Sequence, residues 1–486
     1  MAWPGGPARR PAHDGNTRSP NEPPCGSPAG RARHAGPGRH GRRGALLGLR
    51  RHACRPGPAG AAAWPAEAAP QPLVCPGGLP DGTRCLGGRD SAGAYYRIAI
   101  PAGWQGDLVV HAHGGPALGE PREERVVEDL QRWSVVLRAG YAWAGSTFHQ
   151  GGVAVLSAAE DTERLRRLFV AHVRQPRHTL LHGQSWGASV AARTAERYGQ
   201  AAPGQPRPYD AVLLTSGVLG GGSRSYDFRL DLRVVYQALC HNHPRADEPD
   251  YPLWQGLPAG ARLTRAQLNE RVNECLALDR PAAQRSAEQQ RKVEAIVRTI
   301  HIPEGSITSH LAWATWHFQD IAERRTGGGS AFGNTGARYT GSADDAALNA
   351  AVLRYRADPA ALARFSADTD PTGRIDLPVL TVHGIDDATA FVELDDEFAR
   401  TMARAGRADR LVQTFTRDHE HSYLSDPAYA TLLQALLRWV DEGVKPTPAA
   451  VAAACPAQEA RFGAGCRFEP AYRPAPLDTR VTPRER

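Results

Sequence analysis

Lysine is almost missing from this chain. Lys292 and Lys445 are the two present, and arginine carries the rest of the positive charge. That bias reads as base composition of the gene rather than as a function. Long apolar runs are missing too. No stretch approaches the roughly 18 to 20 residues that a membrane-spanning helix needs, so no span is expected. A basic surface is also lacking, although the net charge is +7. Residues 1–70 carry 11 Arg against Asp14, Glu22 and Glu67, a net charge of +8, which leaves −1 for the other 416 residues. The remainder therefore does not read as a nucleic-acid binder. Cys240-His241-Asn242-His243 invites a metal reading, but it matches no common zinc spacing and has no second close pair. No metal or organic cofactor is expected.

What is present is Gly183-Gln184-Ser185-Trp186-Gly187, set between a buried strand-like run, His178-Thr179-Leu180-Leu181-His182, and a small-residue helical run beginning at Ala188. Strand, G-x-S-x-G, helix is the pattern of a nucleophile elbow. The chain turns so sharply there that the serine hydroxyl is exposed and flanking Cβ atoms would collide with neighbours. Upstream, the strand-like Leu108-Val109-Val110-His111-Ala112-His113 ends in Gly114-Gly115-Pro116, a turn whose N–H groups suit an oxyanion hole together with that of Trp186. Downstream, Leu377 to Gly384 reads as a strand followed by Asp386 and Asp387. A further strand at 411–415 leads to Asp418-His419-Glu420-His421-Ser422. Serine, acid, histidine is the chain order of one class of hydrolases.

With these motifs the chain resembles the α/β-hydrolase-fold serine hydrolases. Local similarity is to prolyl-aminopeptidase-like and esterase members, at 113–116, 183–187 and 421–422. The resemblance spans about 95–220 and 375–442, and it implies an α/β fold with a mostly parallel central sheet, helices on both faces and an inserted helical cap. It departs from the peptidase pattern at Ala117, where that group has a glycine. The family's His-Gly-x-x-Asp turn favours Asp387 as the acid over Asp386, and the Ser-Tyr-Leu that follows His421 favours it as the base over His419. His111, His113, His182 and His383 read as strand ends near the site. The resemblance implies acyl transfer from a small or medium-sized carboxylic ester to water. Ser185 would be the nucleophile, and Gly114, Gly115 and Trp186 would hold the oxyanion. The alternatives are an exopeptidase or amidase using the same three residues, and a binding protein on a catalytically dead hydrolase fold.

The organisation follows from composition and spacing. Residues 1–70, rich in Pro, Gly, Ala and Arg, read as a disordered or targeting segment. Arg42 to Leu49 begins like a signal peptide that Arg50-Arg51 cuts short, with small residues suited to cleavage at 61–63 and 66–68. This points to a damaged or mis-started export signal, with a disordered cytoplasmic tail as the alternative. Core is expected at 71–221 and 373–445, a mostly helical cap at 222–372, and an extended tail at 446–486. Ser157-Ala158-Ala159-Glu160 suggests a capping box, and Asp426-Pro427 an N-cap with proline in the first turn of a last core helix that stops at Gly443. Six cysteines fall into three local pairs, Cys75 with Cys85, Cys240 with Cys275 and Cys455 with Cys466. Nearest-neighbour disulfides are the simplest reading and favour a secreted or periplasmic protein. In the cap, Trp313, Trp316 and Phe318 either line an acyl or aromatic pocket or form the cap's own core.

Overall fold

The central strands are short apolar runs without helical periodicity. Each sends alternate side chains to opposite faces. In the computed structural model, which describes residues 64–202 and 204–484, nine strands form one sheet. They are β1 (Gln71–Leu73), β2 (Arg84–Arg89), β3 (Tyr95–Ile100), β4 (Asp107–Ala112), β5 (Ala142–Ser146), β6 (His178–Gln184), β7 (Ala211–Thr215), β8 (Val379–Gly384) and β9 (Leu411–Thr416). Their order is β1-β2-β3-β5-β4-β6-β7-β8-β9. Pairing is antiparallel from β1 to β5 and parallel from β5 to β9. Every residue of β4, β7 and β8 is buried, as covered parallel strands require.

Strand alternation builds two cores. Val109, Leu180, Leu213 and Leu380 pack on one face with Val126 and Leu130 of the helix Glu123–Arg132, with Trp133 just after it, and with Tyr429 and Leu433 of the helix Asp426–Glu442. Leu108, Val110, Leu181, Val212 and Val379 pack on the other face. Their partners are Leu165 and Phe169 of the helix Val155–His172 and Ala188 and Ala191 of the helix Trp186–Tyr198. Between β7 and β8 the chain runs through helices alone, which bury a third apolar cluster above the ends of the parallel strands. A mostly parallel sheet covered on both faces, an elbow after its central strand and a helical insertion constitute the α/β-hydrolase fold.

Four local expectations change. Of the segment read as a disordered or targeting leader, 1–70, residues 1–63 lie outside the described residues. Within 64–70, however, the chain is docked. Trp64 sits edge-on to Tyr198 and under the guanidinium groups of Arg164 and Arg167, and Glu67 accepts from Ser91. No capping box forms at Ser157. The helix already begins at Val155, and its end is satisfied from the cap instead, the Leu156 N–H donating to Asp368 at 2.9 Å. The last core helix is preceded by Ser425 as its N-cap rather than Asp426, and Gly443 ends it in the left-handed conformation. The tail at 446–486 is not extended. Helices Pro448–Ala454 and Pro456–Phe462 each start on proline, where the missing N–H costs nothing, and Thr447 caps the first.

Candidate active site

Ser185 sits between β6 and the helix Trp186–Tyr198 at φ 56°, ψ −122°, a conformation that side-chain-bearing residues rarely adopt. The turn closes because its glycines allow contact. A Cβ on Gly183 would come within 2.2 Å of the Gly187 carbonyl oxygen, and one on Gly187 within 2.1 Å of the Ala112 carbonyl oxygen. The Ser185 N–H donates to Thr215 on β7, and the Ser185 carbonyl accepts from Val218. Both neighbours hold the strained peptide in place.

His421 and Asp387 arrive on the loops that follow β9 and β8. His421 Nε2 lies 2.8 Å from Ser185 Oγ, and His421 Nδ1 lies 2.7 Å from Asp387 Oδ2. With Nδ1 donating to the carboxylate, Nε2 is left to accept the serine proton. Asp387 Oδ1 accepts from the N–H groups of Thr389 and Ala390. Burial by itself would raise the Asp387 carboxyl. The neighbouring His421 and the hydrogen bonds from His383 and His421 outweigh it, so the group stays well below the usual carboxylate range. The competing residues stand elsewhere. His419 is 82 % exposed and 3.6 Å from the equally outlying Asp386.

His383 ends up doing more than mark a strand end. It is fully buried, with Nδ1 2.6 Å from Asp395 and Nε2 2.9 Å from the Ala390 carbonyl and 3.3 Å from Asp387. Burial opposes its charge, but Asp395 and Asp387 together push the imidazole up to about 10. Gln184 is a second contributor that the motif leaves unspecified. Its side-chain amide donates to the His421 carbonyl at 3.1 Å and so fixes the loop that carries the imidazole. His111 and His182 face one another at 2.9 Å beneath the site, and burial lowers both. Cys240 is bonded to Cys275, which removes its sulfur from any metal set; Cys75–Cys85 and Cys455–Cys466 are the other two disulfides.

A cavity of about 700 Å³ opens over Ser185, lined by Gly114, Gly115 and Trp186 from the core and by Trp313 and His317 from the cap. The loop at 114–115 is anchored. The Gly114 carbonyl accepts from His113 Nδ1 at 3.0 Å and from Arg125, which Asp129 holds at 3.1 Å. The cap helix Ile307–Asp320 touches both sides of the site. His310 donates to the Ala388 carbonyl beside the acid, and His317 donates to the Pro116 carbonyl beside the glycine turn. His310, Trp313 and His317 therefore share the inward face of that helix. Trp316 and Phe318 do not. Three and five residues after Trp313, they turn into the cap, where Trp316 donates to the Leu263 carbonyl and Phe318 stacks on Phe332.

The sheet order, the elbow after β6 and the helical insertion are together those of the α/β-hydrolase fold. No protein-family model matches the chain, and no curated protein does. Among solved structures it is similar to feruloyl esterase B from Aspergillus oryzae, at 16 % identity over 75 % of this chain and 81 % of that one, with a TM-score of 0.37. It is similar also to the rice cell wall degrading esterase LipA from Xanthomonas oryzae, at 14 % identity over 73 % and 89 %, with a TM-score of 0.36. For tannin acyl hydrolase from Aspergillus niger the figures are 11 %, 79 %, 83 % and 0.38.

Proposed function

We propose that this protein is an exported serine hydrolase that cleaves a carboxylic ester through an acyl-enzyme. The observation that carries the reading is the single imidazole of His421 within hydrogen-bond reach of both Ser185 and Asp387, at the floor of an open cavity. His421 Nε2 takes the Ser185 proton as Oγ bonds to the ester carbonyl carbon. The N–H groups of Trp186 and of the loop at 114–115 receive the oxyanion. The tetrahedral species collapses as the C–O bond breaks, and protonated His421 gives its proton to the departing alcohol. A water, deprotonated by the same nitrogen, then attacks the acyl carbon, frees the acid and restores Ser185. Asp387 stays ionised throughout and holds the imidazole in the required tautomer. The three disulfides support an oxidising compartment.

A fluorophosphonate probe and a panel of p-nitrophenyl esters and aminoacyl anilides test this reading. The wild type is expected to be labelled and to turn over esters faster than anilides. Ser185→Ala is expected to lose labelling and at least about a thousandfold in kcat. Labelling that persists in Ser185→Ala overturns the nucleophile, and faster anilide turnover moves the substrate class to peptides.

A further inference from the structure

Arg229 stands in the first turn of the cap helix Phe228–Cys240 and is 4 % exposed, yet it lines the same cavity as Ser185 and His421. Its guanidinium carbon lies 4.6 Å from the ring centroids of Phe228 and Trp313 and 5.3 Å from that of Tyr226. Rings at this distance attract the cation but accept none of its N–H hydrogen bonds in the way a carboxylate does. Those donors are barely used. Among the described residues the guanidinium's one hydrogen bond runs from Nη1 to the Ser225 carbonyl at 3.2 Å, and the buried Nε has none. Asp227, the carboxylate that acts on it electrostatically, is hydrogen-bonded to Arg484. Burial draws the Arg229 guanidinium down to about 10, so it remains charged at neutral pH.

A buried cation without a hydrogen-bonded carboxylate is unfavourable until something anionic reaches it. The cavity's other charges do not supply a preference of sign. Arg122 and Arg132 stand at its mouth with Glu120, Glu124 and Glu128, and Arg125 is engaged by Asp129 and Gly114. The cap histidine that lines the cavity, His317, is lowered by burial to about 4 and is neutral. Charge selection inside the cavity therefore falls to Arg229.

We propose that Arg229 binds a carboxylate on the substrate, held edge-on in the guanidinium fork while Trp313 and Tyr226 flank it. The substrate class is then an ester that carries a free carboxylate on its acyl or its alcohol half. This assignment rests on the serine-hydrolase reading above, and the experiment separates the two. Kinetics are measured on mono-p-nitrophenyl glutarate and adipate and on 4-(carboxymethyl)phenyl pentanoate, each against its neutral carboxamide counterpart, with fluorophosphonate labelling in parallel.

The expected result is that at least one carboxylate ester exceeds its carboxamide by about tenfold or more in kcat/KM, chiefly through KM. Arg229→Gln should erase that preference by bringing kcat/KM for the carboxylate member down to that of its carboxamide, and Arg229→Lys should keep part of it. A wild type with no preference in any pair overturns the assignment, whether or not the variants fold. So does an Arg229→Gln that lowers both members of a pair equally. Absence of both labelling and turnover in the wild type overturns the hydrolase reading itself. Labelling with carboxamide turnover but no charge preference overturns Arg229 alone.

Discussion

Two histidines two positions apart differ completely in what they can do. The imidazole of His421 is tied to Asp387 and Ser185, and its main chain is held by Gln184. His419 is exposed and meets a second exposed group, Asp386. An exposed ion pair of that kind contributes little. His421→Ala is therefore expected to slow fluorophosphonate trapping of Ser185 by about a hundredfold or more, whereas His419→Ala should stay within about twofold. Timed labelling of the two variants checks this; a His419→Ala variant that fails to label while still folded would exchange their roles. Ser185, Asp387 and His421 could be picked from the chain because each belongs to a short motif with its own backbone geometry. Gln184, His383 and Arg229 could not. Gln184 matters through His421, 237 residues away, and Arg229 through Trp313 of another cap helix, while the contacts of His383 with Asp387 and Asp395 are close in sequence but follow from a turn and a helix start that belong to no short motif.

The elements around the site are held through side chains that leave them, and β8 is the clearest example. His383 near its C-terminal end bridges Asp387 on the next loop and Asp395 in the helix Leu394–Arg404. The Asp387 carboxyl is depressed from 3.8, so its stabilising contribution is present above about pH 4 and is lost as pH falls. The His383 imidazole is raised from 6.5 to about 10, so its contribution is whole below pH 6.5 and fades as pH rises toward 10. Both are complete between about pH 4 and 6.5. The difference in Tm between wild type and His383→Gln should be largest in that window and narrow steadily above it. Thermal unfolding from pH 5 to 10 measures this, and a difference that stays constant to pH 10 would refute a charged His383. The cap helix Ile307–Asp320 teaches the complementary lesson about legibility. Its run from His310 to Phe318 is apolar or aromatic nearly all round, so its phase against the core was hidden. The tethers from His310 and His317 set that phase, and they select Trp313 over Trp316 and Phe318.

For the molecule as a whole, the three disulfides divide their work by position. Cys75–Cys85 fastens the edge strands, Cys455–Cys466 folds the tail helices back, and Cys240–Cys275 joins two cap helices. Their sequence separations are 10, 11 and 35 residues. In the loop-entropy account each stabilises by about 2–4 kcal/mol, and the longest loop gains most. The cap matters further because Arg229, Trp313 and His317 all reach the cavity from it. Loosening the cap should therefore disturb substrate binding as well as stability. The double variant Cys240→Ser/Cys275→Ser is expected to lose the most in Tm of the three and also to raise KM, whereas Cys75→Ser/Cys85→Ser should lower Tm and leave KM unchanged. Under denaturing, non-reducing conditions the full chain should show at most two titratable thiols, Cys25 and Cys54. Protein from an oxidising compartment that shows six more would remove both the disulfides and the argument for export. Equal KM in the two double variants would instead mean that cap and cavity are held together by the histidine tethers alone.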